Sequence, residues 1–315
     1  MADIRNVAVI GSGLMGHGIA QVFAKGGCRV KMHDLSDALL QAAMARIRLN
    51  LKMLADAGLQ EEDEIEAITA RIEPTTNLRR AVEDVDMVTE AIPENLQVKV
   101  ELFASLESMA PDQAIFASNT SMLKISDIAK PITDKSRTLV THWFNPAHLV
   151  PVVEVVKAPD TSQETVEKAI SFLAAMGKTP IRVLKEVPGH LVNRIQFALN
   201  REMLALMEQG VGTPEEIDKA VSGSIALRLA ASGPVKTIDI NGIDLFYYGM
   251  REIYRYLDNS TAPQDILRQK VEKGEVGRRS GKGFFQYETD GPLTSLELER
   301  DRKLMQLLKV LYPKG

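Results

Sequence analysis

Short apolar runs alternate with amphipathic stretches along the first part of the chain. The runs are rich in β-branched residues, which is typical of buried strands. Strands are predicted at residues 6–10, 29–33, 85–92, 114–117, 138–144, 150–156 and 179–184. Helices are predicted between them, at residues 17–25, 37–57, 61–70, 96–109 and 162–176. Because strands that alternate with helices form a largely parallel sheet covered on both faces, this part is predicted to be a doubly wound α/β domain.

The pattern changes after the turn-forming segment Val187-Pro188-Gly189. Beyond it helices are predicted at residues 191–208, 214–221, 245–256, 262–273 and 296–311. Two domains are therefore expected, an α/β domain at residues 1–187 and an all-α domain at residues 188–315. Helices with apolar faces and no chemistry of their own are typical of a lid and a subunit interface, so a homodimer is predicted.

A helical excursion is predicted at about residues 36–72, where the connection exceeds a usual crossover between strands. Ser36 is a candidate N-cap for its first helix, and Gly58 ends that helix. The second helix begins with the acidic run EEDE at residues 61–64. The excursion is expected to project from the sheet edge, where it forms either a cleft wall or a solvated charged face.

Composition removes several classes of function. The 315 residues carry a net charge of −4, whereas nucleic-acid and membrane-surface binders show clustered basic charge. A single cysteine, Cys28, excludes an internal disulfide and a cysteine-rich metal site, and no metal is predicted. No apolar run approaches the ~18 residues of a membrane span, and the N-terminus lacks the build of a signal peptide. A soluble cytoplasmic protein that acts on a small molecule is expected.

A glycine-rich turn, GSGLMG at residues 11–16, joins the first predicted strand to the first helix. In this setting the first glycine permits a tight turn, the second lets the backbone approach a pyrophosphate, and the third allows close helix packing. The phosphates would lie at the helix N-terminus, where free N–H groups favour negative charge. The residues predicted to contact the cofactor here are Gly11, Gly13, Leu14, Met15 and Gly16.

Asp34 ends the second predicted strand, eighteen positions after Gly16. An acid at this place hydrogen-bonds the adenosine ribose hydroxyls and repels a 2′-phosphate, so NAD is predicted rather than NADP. The strand, glycine turn, helix and acid together predict a Rossmann-type doubly wound sheet, which is followed by the all-α C-terminal domain.

Further polar residues follow two other predicted strands. Ligands of such sheets bind beyond the carboxyl ends of the strands, so Glu90 and Asn95 are predicted on the cofactor side. Asn119 is also predicted to contact the cofactor. The run Ser118–Ser121 (SNTS) allows two interpretations, a helix cap or a set of substrate-contacting groups. Asn193 opens the first helix of the second domain, where it is placed to reach an interdomain cleft.

His142 and Glu154 interrupt two neighbouring apolar strands, which are separated by a break at Asn145-Pro146. Buried polar side chains need partners, and the simplest partner of each is the other. A carboxylate bonded to one imidazole nitrogen fixes the tautomer and leaves the other nitrogen free to take a proton. The alternative for this stretch alone is a histidine that simply satisfies the core.

These motifs occur in the order found in the L-3-hydroxyacyl-CoA dehydrogenase family, which the chain resembles over essentially its whole length. The segments that carry the resemblance, beside Asp34, are GSGLMG at residues 11–16, EAIPE at 90–94, FASNTS at 116–121, HWFNP at 142–146, VVEVV at 152–156, PGHLVNRI at 188–195 and GRRSGKGFFQY at 277–287. The resemblance implies NAD-dependent oxidation of an L-3-hydroxyacyl-CoA to the 3-oxoacyl-CoA by hydride transfer.

The resemblance also implies roles for individual residues. His142 matches the family's general base, and Glu154 matches the residue that orients this base. Ser121 and Asn193 match polar groups that contact the substrate during catalysis. Glu90 matches an acid that lies close to the cofactor.

Three departures from the family resemble relatives that oxidise free hydroxy acids, such as gulonate and carnitine dehydrogenases. They are NPAHLVP at residues 145–151, GPVKT at 233–237 preceded by Arg228, and the acidic run QEEDE at 60–64. A run of acids is a poor seat for CoA phosphates, and an arginine near the cleft suits a free carboxylate. The alternative for Arg228 is that it caps a helix or meets an acid at the surface. The closing GRRSGKGFFQY is typical of the acyl-CoA members.

Three functions therefore stay open. The first is an NAD-dependent dehydrogenase of a 3-hydroxyacyl-CoA, and the second keeps this chemistry on a free hydroxy acid, gulonate-, carnitine- or aromatic-like, bound by Arg228. The third is a non-catalytic NAD-binding structural protein. The buried pair of polar residues argues against the third, because a fold without turnover does not need it.

Overall fold

The computed structural model describes residues 4–288 and 295–312. Its first compact unit is built on one sheet of eight strands, in the spatial order β3-β2-β1-β4-β5-β6-β7-β8. The strands are β1 (Asn6–Ile10), β2 (Arg29–His33), β3 (Ile72–Thr75), β4 (Met87–Glu90), β5 (Ile115–Ser118), β6 (Thr138–Trp143), β7 (Val152–Val156) and β8 (Thr179–Val183).

All neighbouring strands are parallel except β6 and β7, which are antiparallel. β1 pairs with β2 on one side and with β4 on the other, so the strand order reverses direction there. Ile10 is level with His33 and with Glu90, which brings the carboxyl ends of these three strands to one edge. Such a reversal is where doubly wound sheets bind ligands. The predicted Rossmann-type α/β class is confirmed.

Helices lie along this sheet and begin at side-chain caps where the sequence supplies them. Ser36, Asn95 and Ser162 each accept a hydrogen bond from the backbone N–H three residues on, which satisfies one of the free donors of the first turn. The helices of this unit are α1 (Gly16–Lys25), α2 (Asp37–Asp56), α3 (Glu64–Thr69), α4 (Leu78–Val82), α5 (Leu96–Glu107), α6 (Ile125–Ile128) and α7 (Gln163–Ala175).

The core lies on both faces of the sheet. On β1, Val7 and Val9 face a cluster with Phe23 and Trp143. Ala8 and Ile10 face a second cluster, which contains Phe116. Successive side chains of a strand point to opposite faces, so a sheet covered on both sides needs apolar residues at every position. This explains the unbroken apolar runs of the sequence.

One strand was missed by sequence reasoning. β3 reads Ile-Glu-Pro-Thr and forms the edge of the sheet next to β2. Only four residues long and interrupted by Pro74, it lacks the apolar run of a central strand. Proline is tolerated at such an edge because its missing N–H removes no bond from the sheet interior.

The second compact unit is helical, as predicted. It comprises the described residues between Arg194 and Arg300 and those from Lys309 onward, while the first unit extends to Asn193 and includes Asp301–Leu308. The remaining helices are α8 (Val192–Glu208), α9 (Pro214–Ala220), α10 (Leu227–Ser232), α11 (Pro234–Asn241), α12 (Ile243–Ile253), α13 (Asp265–Glu272) and α14 (Ser295–Leu311). The predicted domain boundary between residues 187 and 188 stays a prediction.

Two details of the helical unit escaped the periodicity. A π-helical segment, Val221–Ala226, connects α9 to α10, and Gly242 with a φ of 100° separates α11 from α12. Sequence reasoning predicted one helix from residue 245 and none at α10 or α11. None of the described helices has the length and apolarity needed to cross a membrane.

Candidate active site

His142 and Glu154 face each other across β6 and β7. The antiparallel register pairs these two residues directly, so their side chains leave the same face of the sheet. His142 Nδ1 lies 2.6 Å from Glu154 Oε2, and both side chains are buried. The partner predicted for each polar residue is therefore the one found.

The surroundings of Glu154 keep it ionised. Its second oxygen, Oε1, accepts the backbone N–H groups of Leu191 and Val192, each at 2.9 Å. Burial acts to raise the pKa of Glu154, but the hydrogen bonds from His142 and from these amides outweigh it and lower the pKa. An ionised carboxylate can only accept, so His142 carries its proton on Nδ1. Its Nε2, which has no partner among the described residues, is then a lone pair able to take a proton.

Glu94 bonds the loop that follows β5 and carries Ser121, which we call the Ser121 loop. Its Oε1 accepts Thr120 Oγ1 at 2.6 Å, Ser121 N at 2.9 Å and Met122 N at 2.8 Å. Against burial, these bonds and the nearby Lys99 lower the pKa of Glu94. Glu94 was not predicted, although EAIPE contains it. A second acid four residues after Glu90 was the only signal.

The same loop is tied to the strand of His142 and to Asn193. Asn119 Oδ1 accepts Trp143 N at 2.9 Å, one residue after His142. Asn193 Nδ2 donates to Ser121 O at 3.2 Å. No described residue bonds the Ser121 hydroxyl, which leaves it for a ligand. The structure thus brings the four predicted catalytic residues into one region of the first unit.

The glycine turn has the shape that a dinucleotide requires. Gly11 has a φ of 95°, and a Cβ added there would meet Ala91 O at 2.7 Å. A Cβ on Gly16 would lie 1.7 Å from Gly11 O, whereas one on Gly13 would have no neighbour within 4 Å. Gly11 and Gly16 are therefore needed for packing, and Gly13 leaves the turn open for a close approach.

The N-terminus of α1 is free to receive phosphate. Its N-cap residue, Met15, is half-buried and makes no side-chain cap, and Leu14 is exposed. Uncapped N–H groups at this end favour an anion. Asp34 lies beside the turn, where its carboxylate accepts Ser12 N and Oγ, each at 2.7 Å. These bonds overcome burial and lower the pKa of Asp34, so the carboxylate stays ionised beside the glycine turn. These residues fit NAD.

Comparisons with known proteins agree with this geometry. Residues 6–187 match the NAD binding domain of 3-hydroxyacyl-CoA dehydrogenase, and residues 189–287 match the C-terminal domain of that enzyme. The chain belongs to the 3-hydroxyacyl-CoA dehydrogenase family. The resemblance inferred from the motifs is confirmed. The predicted enzyme class, an NAD-dependent dehydrogenase that acts on a secondary alcohol, is confirmed with it.

Two relatives and one solved structure illustrate what this dehydrogenase is similar to. The chain is 31% identical to 5-formyl-3-hydroxy-2-methylpyridine 4-carboxylate 5-dehydrogenase of Mesorhizobium japonicum, over 98% of each chain. It is 33% identical to a probable 3-hydroxybutyryl-CoA dehydrogenase of Bacillus subtilis, over 91% of this chain and 98% of the relative. A solved structure of a 5-formyl-3-hydroxy-2-methylpyridine 4-carboxylic acid 5-dehydrogenase, described as an NAD+-dependent dismutase, superposes with a TM-score of 0.91 at 30% identity, covering 99% of this chain and all of the other.

Glu90 lies at the ligand-binding edge of the sheet, but its side chain bonds groups inside the protein. It is fully buried, and its oxygens accept Lys99 Nζ at 2.5 Å, Ser118 Oγ at 2.5 Å and Ile92 N at 2.8 Å. Both oxygens are thus used inside the protein, where they join the ends of β4 and β5. The predicted cofactor contact of Glu90 stays a prediction.

Arg228 lies in the second unit, on α10. Its guanidinium bonds Ser224 O at 3.2 Å and Ser224 Oγ at 3.4 Å, one turn back on the helix, and the side chain is exposed. The structure therefore gives Arg228 a serine partner in the preceding turn. Its role toward a carboxylate stays a prediction.

Lys178 is a further residue that sequence reasoning missed. Its Nζ donates to Ala147 O at 2.6 Å and to Val150 O at 2.9 Å, and it lies 5.3 Å from the centre of the Trp143 ring. Burial, with the neighbouring Lys25, lowers the pKa of Lys178 to about 7. The hydrogen bonds of the Lys178 amine thus hold in place the segment that joins β6 to β7. A single lysine after a glycine gave no signal of this in the sequence.

Proposed function

We propose that this dehydrogenase oxidises the hydroxyl group of an L-3-hydroxyacyl-CoA to give the 3-oxoacyl-CoA. The observation that carries the proposal is the 2.6 Å contact between His142 Nδ1 and Glu154 Oε2, which leaves Nε2 as a proton acceptor. The family assignment supplies the substrate class, since both family domains match along the chain.

His142 acts as the general base in this reaction. Its Nε2 takes the hydroxyl proton of the substrate while the hydrogen on the same carbon departs as hydride. Glu154 stabilises the imidazolium that results, because it stays ionised and already accepts from Nδ1. Bound NAD supplies the acceptor for the hydride. In the reverse direction the imidazolium returns the proton to the substrate oxygen.

Ser121 and Asn193 contact the substrate oxygen in this proposal. The Ser121 hydroxyl is available as a donor, since its loop is held by backbone bonds rather than by that hydroxyl. Asn193 Nδ2 uses one hydrogen on Ser121 O and keeps a second one for the substrate. Donors placed at the developing carbonyl oxygen favour charge redistribution in the transition state.

A second candidate is a dehydrogenase of a free hydroxy acid. It is favoured by the similarity, along the whole chain, to a relative whose name specifies a pyridine carboxylate. The acidic helical excursion also suits CoA phosphates poorly: Glu62 pairs with Lys52, and the four acids at residues 61–64 are all exposed. Arg228 is the candidate partner of the carboxylate in this alternative.

Steady-state kinetics separate the two candidates. We expect L-3-hydroxybutyryl-CoA to give a kcat/KM at least about tenfold above those of free 3-hydroxybutyrate, gulonate, carnitine and an aromatic hydroxy acid. Arg228→Ala should leave the thioester rate near that of wild type, as should the control Arg251→Ala at another exposed arginine of the second unit. A free acid that outperforms the thioester, and loses its rate only on Arg228→Ala, would establish the second candidate.

We also propose that the enzyme is a homodimer through its helical domain. Among the described residues of the second unit, Ala205 is the buried hydrophobic one, while many large apolar side chains are exposed. Examples are Leu227, Val235, Ile240, Ile243, Leu245 and Tyr254. An apolar surface of this extent is stabilised when a second protein surface buries it. A second copy of the chain presents the same apolar surface, which a twofold axis brings into contact with the first.

Sedimentation equilibrium tests the homodimer and should give twice the mass of one chain. The mass of one chain at all concentrations would contradict the proposal.

A further inference from the structure

A second histidine lies next to His142 and has no part in the reaction described so far. The ring of His190 is centred 5.3 Å from the ring of His142 and inclined to it by 56°. The side chain is 1% exposed. A buried titratable ring this close to a general base is a candidate for a functional role.

The backbone at His190 is held in an unusual conformation. Its φ is 51°, a left-handed value that non-glycine residues rarely adopt, and Gly189 before it has a φ of 77°. The turn that results directs the next two amides, those of Leu191 and Val192, onto Glu154 Oε1. The strained residue therefore belongs to the segment that supports the catalytic carboxylate.

The side chain of His190 reaches in another direction, to the loop of Ser121. Its Nε2 lies 3.0 Å from Thr120 O. Because a carbonyl oxygen only accepts, Nε2 carries the hydrogen. Nδ1 is buried without a partner in the described part of the chain.

The ring stays neutral in this environment. Burial lowers the pKa of His190, and the adjacent His142 acts in the same direction. The bond to Thr120 O and the carboxylates of Glu154 and Glu94 act the other way but do not prevail. A neutral donor suits this place, since a second cation would oppose the imidazolium that His142 becomes during the reaction.

Two side chains of one turn thus bond two consecutive carbonyls of the Ser121 loop. His190 binds Thr120 O, and Asn193 binds Ser121 O. Glu94 holds the amides of the same loop. The turn at residues 189–193 therefore connects this loop to Glu154, whose Oε1 accepts the amides of Leu191 and Val192.

We propose that His190 is a positioning residue, which holds the Ser121 hydroxyl in line with His142 through its bond to Thr120 O. This inference rests on the proposed function, because it assigns Ser121 to the substrate oxygen. Displacement of a substrate-binding group by about 1 Å lowers rates by up to about a hundredfold, so a short structural bond can control turnover.

Two variants of His190 test the proposal. Asparagine tolerates a positive φ well but is too short to reach Thr120, whereas glutamine can place an N–H near the position of Nε2. We expect His190→Asn to fold as stably as His190→Gln and to lower kcat/KM by about tenfold to a hundredfold. His190→Gln should recover most of that loss, and NAD affinity should be unchanged in both.

A double-mutant cycle distinguishes positioning from a general structural role. Ser121→Ala should cost much less in the His190→Asn background than in wild type, because the hydroxyl is already misplaced there. The cost in kcat/KM of Asp34→Asn, beside the glycine turn, should instead add to that of His190→Asn. Equal costs of Ser121→Ala in both backgrounds would overturn the proposal.

Amide hydrogen exchange supplies a readout that needs no substrate. The amides of residues 118–123 should exchange faster in His190→Asn than in wild type, and at nearly the wild-type rate in His190→Gln. Unchanged exchange in His190→Asn would overturn the positioning role even if the enzyme were active. Absence of turnover on every substrate tested would contradict the proposed function instead, and the exchange rates would still decide the role of His190.

Discussion

Replacing His142 with alanine is expected to lower kcat by about two to four orders of magnitude while leaving NAD affinity largely intact. The substrate hydroxyl then has no group to take its proton as hydride departs. The glycine turn and Asp34 lie at the ends of β1 and β2, and β4 and β5 separate these strands from β6. NAD binding is therefore expected not to depend on the His142 imidazole. NADH formation measures the rate, and fluorescence titration measures the dissociation constant of NAD.

A matched control for this variant is His148→Gln. His148 follows the end of β6 by five residues, and its Nδ1 lies 3.5 Å from Asn50 Nδ2 rather than near Glu154. We expect the control to retain turnover close to that of wild type. Near-normal kcat in His142→Ala would contradict both the acyl-CoA and the free-acid hypotheses, because each requires His142 to take the substrate proton.

Replacing Glu154 with glutamine is expected to reduce kcat by about two to four orders of magnitude as well, although shape and volume are almost conserved. The amide oxygen can still accept the N–H groups of Leu191 and Val192, so the amide NH2 turns toward His142. A donor at this position forces Nδ1 to accept, which moves the ring hydrogen to Nε2. The imidazole then presents a hydrogen to the substrate where a lone pair is needed.

Glu164→Gln provides the control for the loss of one carboxylate, since Glu164 is exposed on α7 and pairs with Lys168. Its kcat should be unchanged. Because the effect of Glu154→Gln is on the tautomer, the thermal unfolding temperature should fall far less than activity does. An active Glu154→Gln enzyme would mean that the carboxylate does not orient the base.

The contact between His142 and Glu154 could be predicted from the sequence because polar residues are conspicuous within buried apolar strands. A histidine and a carboxylate each interrupt an apolar run, and burial requires a partner for both. The register that places them opposite each other, His142 with Glu154, follows from the antiparallel pairing of β6 and β7. The glycine turn and Asp34 were equally clear, because their spacing is set by a strand, a turn and a helix.

Other site residues could not be read in the same way. Glu90 and Glu94 are both acids near the end of one strand, and the sequence does not distinguish their roles. The structure shows that Glu90 accepts a hydrogen bond from Lys99, whereas Glu94 accepts one from the backbone of Ser121. His190 lies in a segment that looked like a connection between domains. Its left-handed backbone is imposed by tertiary contacts rather than by local preference, since asparagine or glycine would adopt it more readily.

The helical unit shows a different limit. Periodicity located most of its helices, but their apolar faces do not indicate what covers them. The breaks at Gly242 and in the π-helical segment Val221–Ala226 also left no periodic trace. The sequence therefore predicted that this unit is helical, but it did not predict which surfaces cover the apolar faces of the helices.

The most direct test of the account is a crystal structure with NAD and an unreactive analogue of the 3-hydroxyacyl substrate. We expect the substrate oxygen about 2.6–3.2 Å from His142 Nε2, with the carbon that bears it about 3–3.5 Å from C4 of the nicotinamide ring. A nicotinamide ring bound beyond reach of that carbon, or a His142 turned away from the substrate oxygen, would contradict the assignment of the pair as the catalytic base.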